Sequence, residues 1–198
     1  MKRLNHNLNI TFAICILLLV LVSCGGEDRN IYVLFNAGHL KMEKGDYKGA
    51  IDDYSQLLEL KNDHAVAYYN RGLAHYNLNQ FKDAVRDFSK AIHYRKKYTD
   101  AFYHRGLAYM HLDIMGKAIR DFDKVIHENP KNAEAYFHRA RVKKKLLRYN
   151  DSFHDFDEAV RLRGNFKEAY YERGELHLQR KHYKKALWDF TIVRSNFL

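Results

Sequence analysis

Arginine stands at Arg71, Arg105, Arg139 and Arg173, and aspartate at Asp53, Asp87, Asp121, Asp155 and Asp189, each series stepping by 34 residues. Carboxylates and guanidinium groups in register could support acid–base chemistry, anion binding or simple ion pairing. Catalysis needs unlike groups converging at one place, a nucleophile with its base and a group that orients the base. These groups recur uniformly along the chain, which fits pairs that fix register better than a reaction centre. The first copy keeps Asp53 but carries Ala37 where the arginine would stand. If each aspartate pairs with the arginine of the next copy, the first copy needs none. The expected pairs are Asp53 with Arg71, Asp87 with Arg105, Asp121 with Arg139 and Asp155 with Arg173.

Twelve histidines raise metal binding as a second chemistry, with His104 and His138 at equivalent places in successive copies. Packed helices lie about 8–10 Å apart, whereas zinc needs ligand bonds of about 2 Å. Neither metal nor cofactor is expected. The chain offers no glycine-rich phosphate loop, no catalytic carboxylate pair and no nucleophile with a base, so a non-catalytic protein is expected.

The elements that position these residues follow from the same interval. "YYNRGLAHY" at Tyr68–Tyr76 returns as "FYHRGLAYM" at Phe102–Met110, "YFHRARVKK" at Tyr136–Lys144 and "YYERGELHL" at Tyr170–Leu178. A step of 34 from Gly72 lands on Gly38, Gly106, Ala140 and Gly174, dividing the chain into repeats 31–64, 65–98, 99–132, 133–166 and 167–198. Apolar residues at positions 4, 8, 11 and 20, 24, 27 of each repeat follow helical spacing. Turn residues such as Gly45-Asp46 and Asn79-Gln80 separate the two runs, and Asn62-Asp63, Pro130-Lys131-Asn132 and Gly164-Asn165 end the second. Each repeat is a helical hairpin. Small residues at positions 8 and 20 let its helices approach, and five stacked hairpins share a continuous core.

Period, small positions, aromatic positions and Pro130 together resemble the tetratricopeptide repeat (TPR), over residues 31–198. The resemblance implies an all-α, right-handed α-solenoid of five helix-turn-helix repeats. Ala140 departs from the family's glycine, and Lys41, Lys143 and His177 from its aromatic eleventh position, so looser packing is expected in repeats 1, 4 and 5. The family binds peptides or proteins on the concave surface formed by the first helix of each hairpin. Carried onto this sequence, the implied groove residues are Phe35, Tyr69, Leu73, Tyr76, Tyr103, Leu107, Met110, Phe137, Arg141, Lys144, Lys145 and Tyr171. The ring at position 5 of every repeat either faces this groove or packs between repeats. The family's carboxylate clamp needs Lys and Asn at positions 5 and 9. Phe35 with His39 and Tyr69 with Leu73 do not supply it.

Composition narrows the partners. A net charge of +10 biases the protein toward anions. The runs "RVKKKLLR", "YRKKY" and "RKHYKK" hold much of it, and they read either as solvated faces or as contacts for an anionic envelope polymer or lipid. Nucleic acid is not expected, because no motif for it is present. The last hairpin carries Trp188, Ile192 and Phe197 with no further repeat to cover them, which points to self-association through the C-terminal repeat.

The N-terminus reads as an address. Lys2 and Arg3 precede the apolar run Phe12–Val22, and small Ser23 precedes Cys24. The run is shorter than the roughly 20 residues of a membrane-spanning helix. Leu21-Val22-Ser23-Cys24 resembles the lipobox of bacterial lipoproteins. That resemblance implies a signal peptide over 1–23, lipid on Cys24 and a short tether over 24–30, which would anchor the chain in the bacterial cell envelope. Gly25, rather than Asp, after the cysteine points to the outer membrane. The other cysteine, Cys15, lies inside the signal, so the repeats contain no disulfide framework.

Overall fold

A computed structural model describes residues 28–197, which form ten helices and, among the described residues, no strand. α1 occupies residues 28–43. The rest are α2 (Tyr47–Leu60), α3 (Ala65–Asn77), α4 (Phe81–Tyr94), α5 (Thr99–His111), α6 (Met115–Glu128), α7 (Ala133–Lys145), α8 (Tyr149–Leu162), α9 (Lys167–Gln179) and α10 (Tyr183–Phe197). The first helix of repeats 2 to 5 spans positions 1 to 13, and the second begins at position 17 in all five. Among the described residues, consecutive helices pack on one another from α1, whose Leu34 and Phe35 join the cluster of Tyr54, through α10, giving the expected solenoid of five hairpins.

One backbone device closes every hairpin. Position 15 is left-handed in all five repeats, at Gly45 (φ 76), Asn79 (φ 59), Asp113 (φ 59), Leu147 (φ 59) and Lys181 (φ 61). The N–H of position 16 then donates to the carbonyl of position 11, as in Gln80 to His75 at 2.8 Å and Arg148 to Lys143 at 2.9 Å. These bonds satisfy carbonyls that the helix end leaves open. The first helices begin on side-chain caps where the sequence allows: His64 Nδ1 accepts from Ala67 N at 3.1 Å and Asn132 Oδ1 from Ala135 N at 2.9 Å.

The core of each hairpin is a ring laid over a small residue. Tyr54, Phe88, Phe122 and Phe156 at position 24 are fully buried. A Cβ added to Gly72 would come within 2.8 Å of Phe88, and one on Gly106 within 2.9 Å of Phe122. In repeat 4, where alanine replaces the glycine, Ser152 Oγ donates to the Ala140 carbonyl at 2.8 Å and ties the two helices together.

The expected tether divides on this structure. Residues 28–30 already belong to α1, while Cys24 and the signal expected over 1–23 lie outside the described residues. Among the described residues, no helix is long and apolar enough to cross a membrane.

Candidate functional site: an ion-pair ladder behind a concave groove

The arginine–aspartate ladder is real, but its pairing corrects the expectation. Arg71 binds Asp87 of its own hairpin, with Nε to Oδ2 at 2.7 Å and Nη2 to Oδ1 at 2.8 Å. Arg105 pairs in the same two-pronged way with Asp121, Arg139 with Asp155, and Arg173 with Asp189. Position 7 on the first helix and position 23 on the second face each other within one hairpin, so the pairs Asp53–Arg71, Asp87–Arg105, Asp121–Arg139 and Asp155–Arg173 do not form. Contact between repeats comes from the remaining guanidinium nitrogen, Nη1. It reaches back to position 25 of the preceding repeat: Ser55 for Arg71 and Ser89 for Arg105 at 3.0 Å, Asp123 for Arg139 at 2.6 Å and Asp157 for Arg173 at 2.7 Å. Repeat 1 lacks the arginine because Lys41 takes its place, 2.7 Å from Asp53.

In repeats 1, 2 and 4, position 11 therefore holds a group that serves the buried aspartate. Lys143 Nζ lies 2.6 Å from Asp155, which is fully buried, and His75 lies 3.8 Å from Asp87. The looser packing expected from Lys41 and Lys143 is absent, since both lysines fill the site with a charge partner. At His177 the ring stacks on Phe153 with centroids 4.4 Å apart, and a cavity of about 500 Å³ opens beside it, lined in part by His182, Lys185 and Trp188.

The position 5 rings form a ladder that is mostly packing. Each meets the position 24 ring of its own repeat at about 6 Å, from Phe35 on Tyr54 to Tyr171 on Phe190. Tyr69 also contacts Tyr98, and its hydroxyl lies 3.2 Å from His104 Nδ1 in the next repeat. Burial raises the phenol pKa of Tyr69, and pushes that of Tyr103 up to about 12. Phe137 is buried between Phe156 and Phe166, under Arg141. Tyr171 is the exposed member, and Phe35 lines a cavity of about 270 Å³ at the N-terminal end.

The histidines follow the rings. His138 sits among Tyr103, Phe122 and Phe137, and its Nδ1 has no hydrogen-bond partner. Burial, with Arg141 nearby, lowers its pKa to about 4. His104 is lowered in the same direction by burial. Among the described residues, no three metal-ligating side chains converge.

One cavity opens across repeats 3 to 5. Its volume is about 360 Å³, and it is lined by Met110, His111, Met115, Arg141, Val142, Lys144, Lys145 and Glu172. It joins three of the expected cations to the expected Met110. Leu73, Tyr76 and Leu107 are half-buried; Leu107 clusters with Met110 and Met115, and the Tyr76 hydroxyl meets His111 Nε2 at 3.0 Å. The acids of this region are engaged with its bases. Arg141 binds Glu172 at 2.9 Å, Lys144 reaches Glu172 at 3.2 Å and Glu175 at 3.4 Å, and Lys145 binds Asp113 at 2.8 Å. Glu172 was not legible as a groove residue from position 6 alone. Its signal was its spacing from Arg141, one repeat less three residues, which puts a carboxylate and a guanidinium on adjacent first helices.

Family comparison agrees with this geometry. Residues 38–79 match the family described as TPR repeat, and residues 65–98 and 100–132 each match the description tetratricopeptide repeat. Residues 38–132 carry tetratricopeptide repeats. Among curated proteins, none matches the sequence. Solved structures share the tetratricopeptide fold. MamA from Desulfovibrio magneticus RS-1 superposes with a TM-score of 0.80 at 19% identity, over 83% of this chain and 93% of that one. YrrB, described as a TPR protein with an unusual peptide-binding site, gives 0.71 at 21% identity over 81% and 82%. PilF of Pseudomonas aeruginosa gives 0.74 at 15% identity over 85% and 77%.

Proposed function

We propose that this protein is a non-catalytic scaffold, tethered by lipid on Cys24 to the bacterial outer membrane, which holds a peptide or protein partner in its concave tetratricopeptide groove and self-associates through its C-terminal repeat. The observation that carries the groove is the cavity between α5, the start of α6, α7 and α9. It sets Met110 and Met115 beside Arg141, Lys144 and Lys145, so an extended segment can seat an apolar side chain on flexible, polarizable thioethers. A carboxylate of that segment can replace Glu172 on Arg141 at little net cost, because the exchange swaps one partly exposed ion pair for another. YrrB supports the reading, as a fold neighbour with a peptide-binding site.

The alternative, a binder of anionic envelope polymer or lipid acting through basic faces, is weakened at its richest run. In "RVKKKLLR" every cation, Arg141, Lys143, Lys144, Lys145 and Arg148, already holds a carboxylate, so a polyanion lying along the run would have to exchange five ion pairs where a groove ligand exchanges one.

Selection of peptides from a displayed random library separates the readings. The groove reading expects peptides pairing an apolar residue with an acid, whose binding is lost in Met110→Ala/Arg141→Ala. Binding unaffected by that double change but abolished by salt would favour the polymer reading. The Tyr69 and Tyr103 rings are unsuitable probes because both hold the core. For the anchor, Cys24→Ala should release the chain from the membrane fraction; retention of the variant there would refute lipid tethering.

A further inference from the structure

Among the described residues, the first and last repeats expose positions whose counterparts are covered at joints between repeats. At the joints between repeats 1 and 2 and between repeats 4 and 5, positions 3 and 10 of the first helix cluster with positions 17 and 21 of the preceding second helix. Leu176 clusters with Tyr149 and Phe153 in this way, and Ala74 with Tyr47 and Ile51. In repeats 2 to 5, every residue at positions 3 and 10 is at most 1% exposed. Repeat 1 presents Val33 at position 3, 56% exposed, and Leu40 at position 10, 50% exposed. Repeat 5 presents Tyr183 at position 17, 62% exposed, and Leu187 at position 21, 69% exposed. Ile192, expected to be uncovered, instead packs on the core cluster of repeats 4 and 5, and the side chain of Phe197 lies outside those described.

We infer that the occupant of the C-terminal face is the N-terminal face of a second copy, so that copies stack head to tail and continue the solenoid. This deepens the self-association proposed above and rests on that part of the reading. The internal joints provide the template for the contact, since the two stripes that meet there are the two stripes left open at the ends. The ladder is compatible as well. An internal joint places the arginine of position 7 against position 25 of the preceding repeat. At the joint between copies these positions are Ala37 and Thr191, which leaves no guanidinium without an acceptor. A head-to-tail contact uses different surfaces on the two partners, so each added copy keeps one free head and one free tail, and assembly is open-ended.

Sedimentation of the full chain in density-matched detergent tests this. The expected result is two-copy and larger species that grow with protein concentration. Leu40→Lys blocks the head and Leu187→Lys the tail, and each alone should weaken association by at least about tenfold, the effect of about 1.4 kcal/mol. Both sites are exposed, and unchanged helical circular dichroism checks that the variants fold. An equimolar mixture of the two variants retains one intact head and one intact tail, and should form the two-copy species but nothing larger. Association that survives Leu40→Lys but not Leu187→Lys would mean tail-to-tail pairing and overturn the proposal. A chain that stays single at every concentration would overturn it too. Peptide binding at Met110 and Arg141, measured on the same samples, reports separately on the groove.

Discussion

Arg71 and Asp87, sixteen residues apart in one hairpin, meet through two parallel hydrogen bonds of 2.7 and 2.8 Å, while Arg71 Nη1 reaches Ser55 of the hairpin before. One side chain thus fixes the register within a repeat and the seating between repeats. The aspartate is the fixed point of the arrangement, nearly or fully buried in every copy.

Asp155 is where the ladder is most vulnerable. It is fully buried and accepts from Arg139 while Lys143 lies 2.6 Å away. Asp155→Ala leaves two cations without their shared anion, and unfolding in urea should show a loss of about 3–5 kcal/mol. The double change Arg105→Met/Asp121→Leu removes both partners of an equivalent pair and should cost far less, because well-packed apolar replacements of a buried pair are often neutral. Equal losses for the two variants would contradict an ion-pair account.

Leu147 is a leucine held at φ 59 and 69% exposed. A left-handed conformation costs a residue with a Cβ about 1–2 kcal/mol, which glycine avoids while losing about 0.5–1 kcal/mol through chain entropy. Leu147→Gly should therefore stabilise by about 0.5–1 kcal/mol, read as a higher urea midpoint at unchanged slope.

Glycines separate by what they face. Gly106 lies within 2.9 Å, measured from a built Cβ, of buried Phe122, whereas Gly116 in the first turn of α6 has nothing within 4 Å. Gly106→Ala forces the ring from its seat and should cost about 1–3 kcal/mol. Gly116→Ala adds helix propensity and should gain up to about 1 kcal/mol. Thermal melts of both distinguish steric seating from backbone preference.

The period and the two-helix hairpin were legible because they repeat: five copies of one hairpin turn weak local signals into a register. The seat of the position 24 ring, over the glycine of its own hairpin, was not. Neither was the pairing of Arg71. Its spacing to Asp53 and to Asp87 is a half-repeat either way, and only the packing angle of the two helices decides which carboxylate it meets. The turn at position 15 was legible at Gly45 and Asn79 but hidden at Leu147 and Lys181, where the fold overrides local preference. Of the residues expected in the groove, some meet at one cavity and others do not. Met110, Arg141, Lys144 and Lys145 line one cavity, whereas the aromatic ladder, read as open to either role, is mostly committed to packing at Tyr69, Tyr103 and Phe137.

His138 gives the fold a pH dependence whose sign follows from its surroundings. It is enclosed by Phe122, Tyr103 and Phe137, with Arg141 one turn along its own helix, and its pKa falls to about 4. In the unfolded chain a histidine titrates near 6.5. Between these values the unfolded chain binds a proton that the folded one refuses, so stability falls as pH drops from above 6.5 toward 4 and takes no further loss from this group below that. From about pH 7.5 to about pH 5 the loss from His138 alone should reach at most about 2 kcal/mol. His64, His104 and His177 are lowered by burial too and add in the same direction. His138→Phe keeps a flat ring in the cage and discards a nitrogen that has no partner, so the variant should match the parent near neutrality and exceed it at pH 5. Urea unfolding of both chains at the two pH values measures the difference. Parallel pH profiles would show that His138 is protonated in the folded protein as readily as in the unfolded one.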